Sequence, residues 1–215
     1  MTADVPGVPT RVRMTPSGRR EQLLELGVRL LSTRPIDELT IEMLAEEAGI
    51  SRGLLYHYFA NLKDFHRAVV RKAADDLIEV TAPVREGEPL QRLALSLDAY
   101  VAYVEENFAG YTSLVRGAAG GNEDLRRIYE EARATLTDRI FDEASSGVVE
   151  GDADGGVLGV LELQDTPAVR LMVRGWSAMC EEVVLSWVRD PRGVSRQDLL
   201  VLLAAALPGV LPPAG

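Results

Sequence analysis

The stretch Thr40–Lys63, TIEMLAEEAGISRGLLYHYFANLK, constrains the fold more than any other part of the chain. Ile41, Leu44, Ala45 and Ala48 recur at i, i+3, i+4 and i+7, which is one face of a helix. Thr40 stands where its side chain can cap the first free N–H groups, and Glu42 favours the positive end of the helix dipole. Met43 at the third position rules out a capping box. Gly49 is suited to the left-handed conformation that ends a helix, Ile50 can fold back on that helix, and Ser51 offers a second N-cap. About three residues therefore separate two short helices, the connection that holds a helix-turn-helix at roughly 90–120°.

Leu55 and Phe59, four apart, anchor the second helix to the first. Its other side presents Arg52, Gly53, Leu54, Tyr56, His57 and Tyr58. A glycine near a helix start costs up to about 1 kcal/mol relative to alanine. A surface that must approach another backbone closely accounts for it. In this motif the first residues of the second helix reach base edges in the major groove. Arg52 is placed for a base edge or a phosphate. Tyr56, His57 and Tyr58 supply donors for phosphate oxygens, and the N–H groups at Ser51 add an anion site at a helix terminus. A helical hairpin with no DNA to bind has little use for two tyrosines and a histidine outside its core face.

The run resembles the DNA-binding domain of the tetracycline-repressor (TetR) family of transcription regulators. That family's pattern is A-x-x-x-G-[VI], then S-x-G-x-[LI]-Y-x-[HY]-F, then a lysine and a further apolar residue. Matching positions are Ala45, Gly49, Ile50, Ser51, Gly53, Leu55, Tyr56, Tyr58, Phe59 and Phe65, and the likeness covers roughly residues 18 to 70. Carried over residue by residue, it implies phosphate contacts from Thr40, Ser51, Tyr56, His57 and Tyr58, and base reading by Arg52, Gly53 and Leu54. The family's lysine falls on Leu62 here and the charge moves to Lys63, which becomes the candidate phosphate contact from that turn.

A net charge of -10 looks wrong for a DNA binder until it is divided. Residues 1–72 hold 11 Lys and Arg against 9 Asp and Glu, a balance of +2, and residues 73–215 hold 12 against 24, a balance of -12. The arrangement suggests a mildly basic domain offered to nucleic acid with an acidic body held away, and binding that depends strongly on salt.

The remainder reads as helices throughout, an all-α chain of about nine. Residues 1–16, with Pro6, Pro9 and Pro16, are expected to form a disordered arm. There Arg11 and Arg13, with Arg19 and Arg20 just beyond, either touch DNA or are simply solvated. A helix-turn-helix domain spans 17–65, with Ser17 capping a first helix whose stripe is Leu23, Leu26, Gly27, Leu30 and Leu31. A larger body spans 66–215. Asn61 starts a fourth helix with Phe65, Val69, Ala73, Leu77 and Val80 on its apolar side, broken at Pro83–Pro89. Then follow Leu90–Phe108, a break at Gly110, Tyr111–Ala119, and a long helix capped by Asn122 and running to Ala144. Ser145–Gly159 is rich in Gly and Asp and reads as a loop; Asp152 and Asp154 lack the glycine and glutamate spacing of a calcium site. The last two helices, about 166–189 and 195–207, carry too much apolar surface for one buried side each and read as a twofold dimer interface. Dimerisation sets two recognition helices about 34 Å apart, matching successive major grooves.

Two histidines and one cysteine, Cys180, leave no metal cluster, and no hydrolase elbow or phosphate loop is present. The expectations are no cofactor, no metal and no catalysis. No apolar run is long enough to span a membrane and no intrachain disulfide is possible, so a cytoplasmic site is expected. The resemblance extends weakly to the segments Tyr111–Gly117 and Arg174–Trp176, which look like regulatory domains of actinobacterial members. It also implies dimerisation through the last two long helices and a pocket for a small effector. Tyr100, Tyr103, Phe108, Tyr111, Trp176 and Met179 are the candidates to line that pocket, and any of them can equally be ordinary core. The leading reading is a dimeric, ligand-responsive repressor of a double-stranded DNA operator, released by a small apolar or amphipathic effector. The alternative is a helix-turn-helix regulator with no small-molecule effector, controlled by a protein partner or constitutive.

Overall fold

The computed structural model describes residues 15–83, 87–146, 156–161 and 164–211, and among them only helices and turns occur. The first helix, α1, runs Pro16–Thr33. Thr15, not Ser17, caps it: the Thr15 hydroxyl accepts from Gly18 N at 3.2 Å. Pro16 explains the earlier start, because its fixed φ suits the first helical position and its missing N–H is not needed there. After the 3-10 turn Ile36–Glu38 come α2 (Ile41–Glu47), α3 (Arg52–Tyr58) and α4 (Leu62–Val80). Leu23, Leu44, Leu55, Phe59, Phe65 and Val69 close the core between them. The rings of Phe59 and Phe65 meet edge to face with centroids 5.3 Å apart. Leu24 is buried where Leu30 is only half-buried. On α4, Val80 is 53% exposed, while Val70 and Ala74 are buried. That helix packs on both α1 and a later helix, so its buried arc is wider than one stripe and turns away from Val80.

The second half holds α5 (Pro89–Glu106), α6 (Phe108–Ala119), α7 (Glu123–Ser146), α8 (Gly156–Val160), α9 (Pro167–Arg189) and α10 (Arg196–Val210). Gly110 does not break a helix; it lies inside α6. A Cβ there would sit 2.5 Å from Leu31 Cγ and 2.7 Å from the Leu31 carbonyl oxygen. Glycine is thus present for the close crossing of α6 over α1, and the chain bends at Asn107 instead. Asn122 caps α7 as expected, its side chain accepting from Leu125 N at 3.2 Å. Part of the expected loop at Ser145–Gly159 is helical: α7 reaches Ser146, and α8 drives Val157 and Leu158 into the core. Asp152, Asp154 and the arm residues Arg11 and Arg13 lie outside the described residues.

Trp176 on α9 donates its indole N–H to the Leu203 carbonyl at 3.0 Å, locking α9 to α10. Outside that contact, Leu171 (69% exposed), Val201 (62%) and Leu202 (61%) stay in the open, with Met172 and Val183 beside them. The two halves share α4 and α7: Leu125, Ile128 and Ala132 of α7 complete the core of the first half. The expected division between residues 65 and 66 falls within α4. A backbone–side-chain bond from Ile36 N to Ser113 Oγ, 3.0 Å, adds a further tie between the halves.

Candidate DNA interface and ligand cavity

The helix-turn-helix is built by its caps. Thr40 Oγ1 accepts from Met43 N at 3.1 Å and Ser51 Oγ from Leu54 N at 3.3 Å. Gly49 adopts φ +63°, and Ile50 N returns to Ala45 O at 3.0 Å. With Leu55 and Phe59 fully buried, the opposite side of α3 is forced outward: Arg52, Gly53, Leu54, Tyr56 and His57 are exposed. Tyr58 is half-buried against the core, its ring 5.5 Å from that of His57. Thr40 and Ser51 spend their hydroxyl oxygens on capping, which leaves each O–H free to donate.

Two of these side chains have partners that no local spacing announces. Arg52 Nη1 lies 3.1 Å from Glu42 Oε1 of α2. Both are mostly solvated, and such a pair contributes at most about 1 kcal/mol, so it restrains the arginine without locking it. Lys63 Nζ lies 2.9 Å from Asp124 Oδ2 at the start of α7. The Lys63 hydrogen bond holds the Asp124 carboxyl below its usual range.

A cavity of about 140 Å³ opens between α1, α4, α5, α6, α7 and α9. Its wall is mostly apolar, with Val70, Ala73 and Leu77 of α4 and Leu93 and Leu97 of α5 among its residues. Of the six pocket candidates, Tyr100, Tyr103, Tyr111 and Trp176 line it. Phe108 and Met179 pack beside it on the core of the second half. Tyr103 donates to the Ala73 carbonyl of α4 at 2.6 Å. Glu181 of α9 accepts from Tyr111 at 2.9 Å and from Tyr129 of α7 at 2.7 Å. Tyr129 in turn accepts from Arg133 Nη1 at 3.0 Å, and the Tyr100 and Tyr111 hydroxyls lie 3.0 Å apart. Burial pushes all four phenols up from their ordinary range, Tyr129 to about 12. Phenols therefore stay protonated at neutral pH and act as donors. At the far end, Arg139 of α7 donates to the Ile78 carbonyl at 2.6 Å and to Thr81 Oγ1 at 3.2 Å, gripping the last turn of α4.

Residues 23–69 match the family model of bacterial regulatory proteins, tetR family. A crystal structure of a tetR-family transcriptional regulator from Streptomyces coelicolor superposes with a TM-score of 0.75 at 29% identity, covering 92% of this chain and 82% of that one. The tetR-family match thus falls on the helix-turn-helix and the start of α4. Among curated relatives of this chain, the transcriptional activator FasR of Mycolicibacterium smegmatis is 24% identical over 188 residues, 86% of this chain and 80% of its own. The transcriptional repressor KstR2 of Rhodococcus jostii is 25% identical over 146 residues, 65% and 68% of the two chains. The chain spans about half the length of several further curated relatives it matches.

The chain has an all-helical body joined to its helix-turn-helix through α4, and the match ends inside that helix. The residues that sequence reasoning missed are Glu42, Asp124, Tyr129, Arg133 and Glu181. The spacing of polar residues along α7 carries no signal of a distant partner. Only the folding of α9 alongside α7 turns Tyr129 and Arg133 toward Glu181.

Proposed function

We propose that the protein is a dimeric, ligand-responsive repressor, released from a palindromic DNA operator when a small apolar or amphipathic effector fills the cavity. One observation carries this reading: Val70, Ala73, Ala74 and Leu77 of α4 form part of the cavity wall. The first turns of the same helix, at Phe65 and Val69, are packed in the core that seats α3. An occupant that displaces α4 thus tilts the recognition helix as well. To release DNA it must bind the DNA-incompetent geometry better, by about 1.4 kcal/mol for each tenfold loss of operator affinity. The exposed Leu171, Met172 and Val183 of α9 with Val201 and Leu202 of α10 supply a self-complementary apolar face for the second copy.

On the DNA side, Arg52, Gly53 and Leu54 read base edges, and Thr40, Ser51, Tyr56, His57, Tyr58 and Lys63 hold phosphates. Lys63 does so by exchanging Asp124 for a phosphate oxygen. Selection of duplexes from random DNA, followed by fluorescence anisotropy against a library of small apolar compounds, tests the reading. Tight binding without additive and release by a compound that saturates the protein is the expected result. Binding indifferent to every compound that occupies the cavity favours control by a protein partner or constitutive action. Arg52→Ala should change the selected sequence, whereas Tyr56→Phe with His57→Ala should weaken selected and random duplexes alike.

A further inference from the structure

We infer that the groove where α1, α4 and α7 meet is a second phosphate-binding track, which holds the DNA backbone flanking each operator half-site. This rests on the DNA-binding reading above and extends the contact to a helix of the acidic half.

On α4, Lys63, Arg67 and Arg71 follow one another at four-residue steps, a single row rising about 6 Å per step. Arg67 and Arg71 line an open groove whose other walls carry Arg20 of α1 and Arg127 of α7, with Ala68 and Ile128 between them. The Arg20 guanidinium lies 5.3 Å from the centroid of the Phe59 ring, at the end of α3. The groove therefore starts beside the recognition helix and runs along α4.

The track already holds an anion of the protein's own. Asp124 places one carboxylate oxygen 2.9 Å from Lys63 Nζ and the other 3.6 Å from Arg127 Nη2. The hydrogen bond from Lys63, with the fields of Arg67 and Arg127, holds that carboxyl below its usual range. Three cations gathered round one carboxylate suit a phosphate equally well, because phosphate oxygens accept the same charge-assisted bonds. Arg67 pairs with Asp64 Oδ1 and Arg71 with Glu131 Oε2, each at 2.5 Å. Arg20 has no carboxylate partner among the described residues. These five cations thus face three carboxylates, a balance of +2 on a chain whose net charge is -10. All of the pairs are at least partly solvated, so each is weak and readily exchanged. A polyanion that spans the row gains several contacts at once and releases its own counterions. Duplex DNA continuing past the half-site is such a polyanion, and Lys63, proposed above as a phosphate contact, sets the start of the row at the DNA face.

The test is fluorescence anisotropy with two duplexes carrying the selected operator. One ends at the outer edges of the half-sites, and the other is extended at each end by about ten base pairs, one helical turn, of unrelated sequence. The full chain should bind the extended duplex about tenfold or more tightly than the short one. Arg20→Gln with Arg127→Gln should abolish that gain and leave affinity for the short duplex unchanged, which also reports that the variant is folded. On the extended duplex the slope of log affinity against log salt should drop by about two to four, since each lost phosphate contact removes about 0.9 and a dimer carries each arginine twice. Asp124→Asn should act in the opposite direction, strengthening binding to the extended duplex and steepening its salt dependence. An extended duplex that binds no better than the short one, a gain that survives in the double variant, or an Asp124→Asn chain that binds no tighter overturns the inference and leaves the operator reading standing. Tripolyphosphate that binds the full chain in calorimetry, fails to bind the double variant and leaves affinity for the extended duplex unaltered also overturns it, because the groove then serves a free phosphate-bearing ligand. Failure to bind either duplex overturns the operator reading as well.

Discussion

Gly53→Ala separates what α3 needs to fold from what it needs to function. A Cβ built on Gly53 meets nothing closer than Ser51 Oγ at 4.0 Å, and its φ is not in the left-handed region. Folding therefore imposes no requirement for glycine at this position. Alanine is favoured over glycine inside a helix by about 0.8–1 kcal/mol, and less at the second position of a short helix, so a gain of about 0.5 kcal/mol is expected. DNA reverses the sign. Gly53 lies on the exposed side of α3 between Arg52 and Leu54, where the backbone of a recognition helix comes nearest to base edges. A methyl group placed there holds the helix away from the groove. If it costs the contact of one base-reading side chain, operator affinity falls by about tenfold or more, or about 1.4 kcal/mol. The assay pairs urea unfolding at fixed protomer concentration, because dimerisation shifts apparent stability, with anisotropy titration of the selected operator. A variant that is more stable and binds more weakly is the expected outcome. Lower stability would mean that Gly53 serves the fold, and unchanged operator affinity would mean that α3 does not approach DNA at this residue.

Gly110→Ala should behave oppositely: its Cβ would meet Leu31 side-chain and backbone atoms at 2.5 and 2.7 Å, so despite better helix propensity the urea midpoint should fall by the equivalent of about 1–3 kcal/mol. A gain in stability would refute the tight crossing of α1 and α6. Val201→Asp with Leu202→Asp should turn the dimer into a monomer in sedimentation at micromolar concentration and abolish tight operator binding; a dimer that survives would move the interface elsewhere. Raising the pH should destabilise the protein. Burial pushes Cys180 and Tyr129 each to about 12, with Tyr100, Tyr103 and Tyr111 shifted the same way. Between about pH 9 and 12 the unfolded chain has lost protons that the folded one keeps, so stability present at pH 8 declines as pH rises. A urea midpoint that is flat from pH 8.5 to 10.5 would contradict the burial of these groups.

Most local signals were read correctly where one turn of chain holds the whole cause, the exception being the first helix, capped by Thr15 rather than Ser17. Thr40, Ser51, Asn61 and Asn122 cap the helices expected of them, because a cap joins a side chain to an N–H three residues away. Phe65 and Val69 are likewise buried, since period alone selects one face. Errors arose where a residue answers to a distant neighbour. Gly110 reads as a breaker until Leu31, far away in sequence, is seen lying across it. Val157 and Leu158 sit in a stretch whose composition reads as loop, and only the gap between α5 and α7 makes them core.

The same division runs through the candidate sites. Arg52 to Tyr58 were legible because anchoring Leu55 and Phe59 leaves a single helix only one way to face. Tyr100, Tyr103, Tyr111 and Trp176 were legible as large apolar groups with a polar handle, but nothing in their spacing distinguishes a cavity wall from a filled core. What the sequence alone determined is the helix-turn-helix, the all-helical class and the exposed side of α3, all set by interactions within about one helical turn. What only the tertiary structure decided is the empty space beside α4 and the donor chain that ends on Glu181. Both depend on helices distant in sequence meeting at once around the cavity, and volume left unfilled between elements has no periodicity of its own.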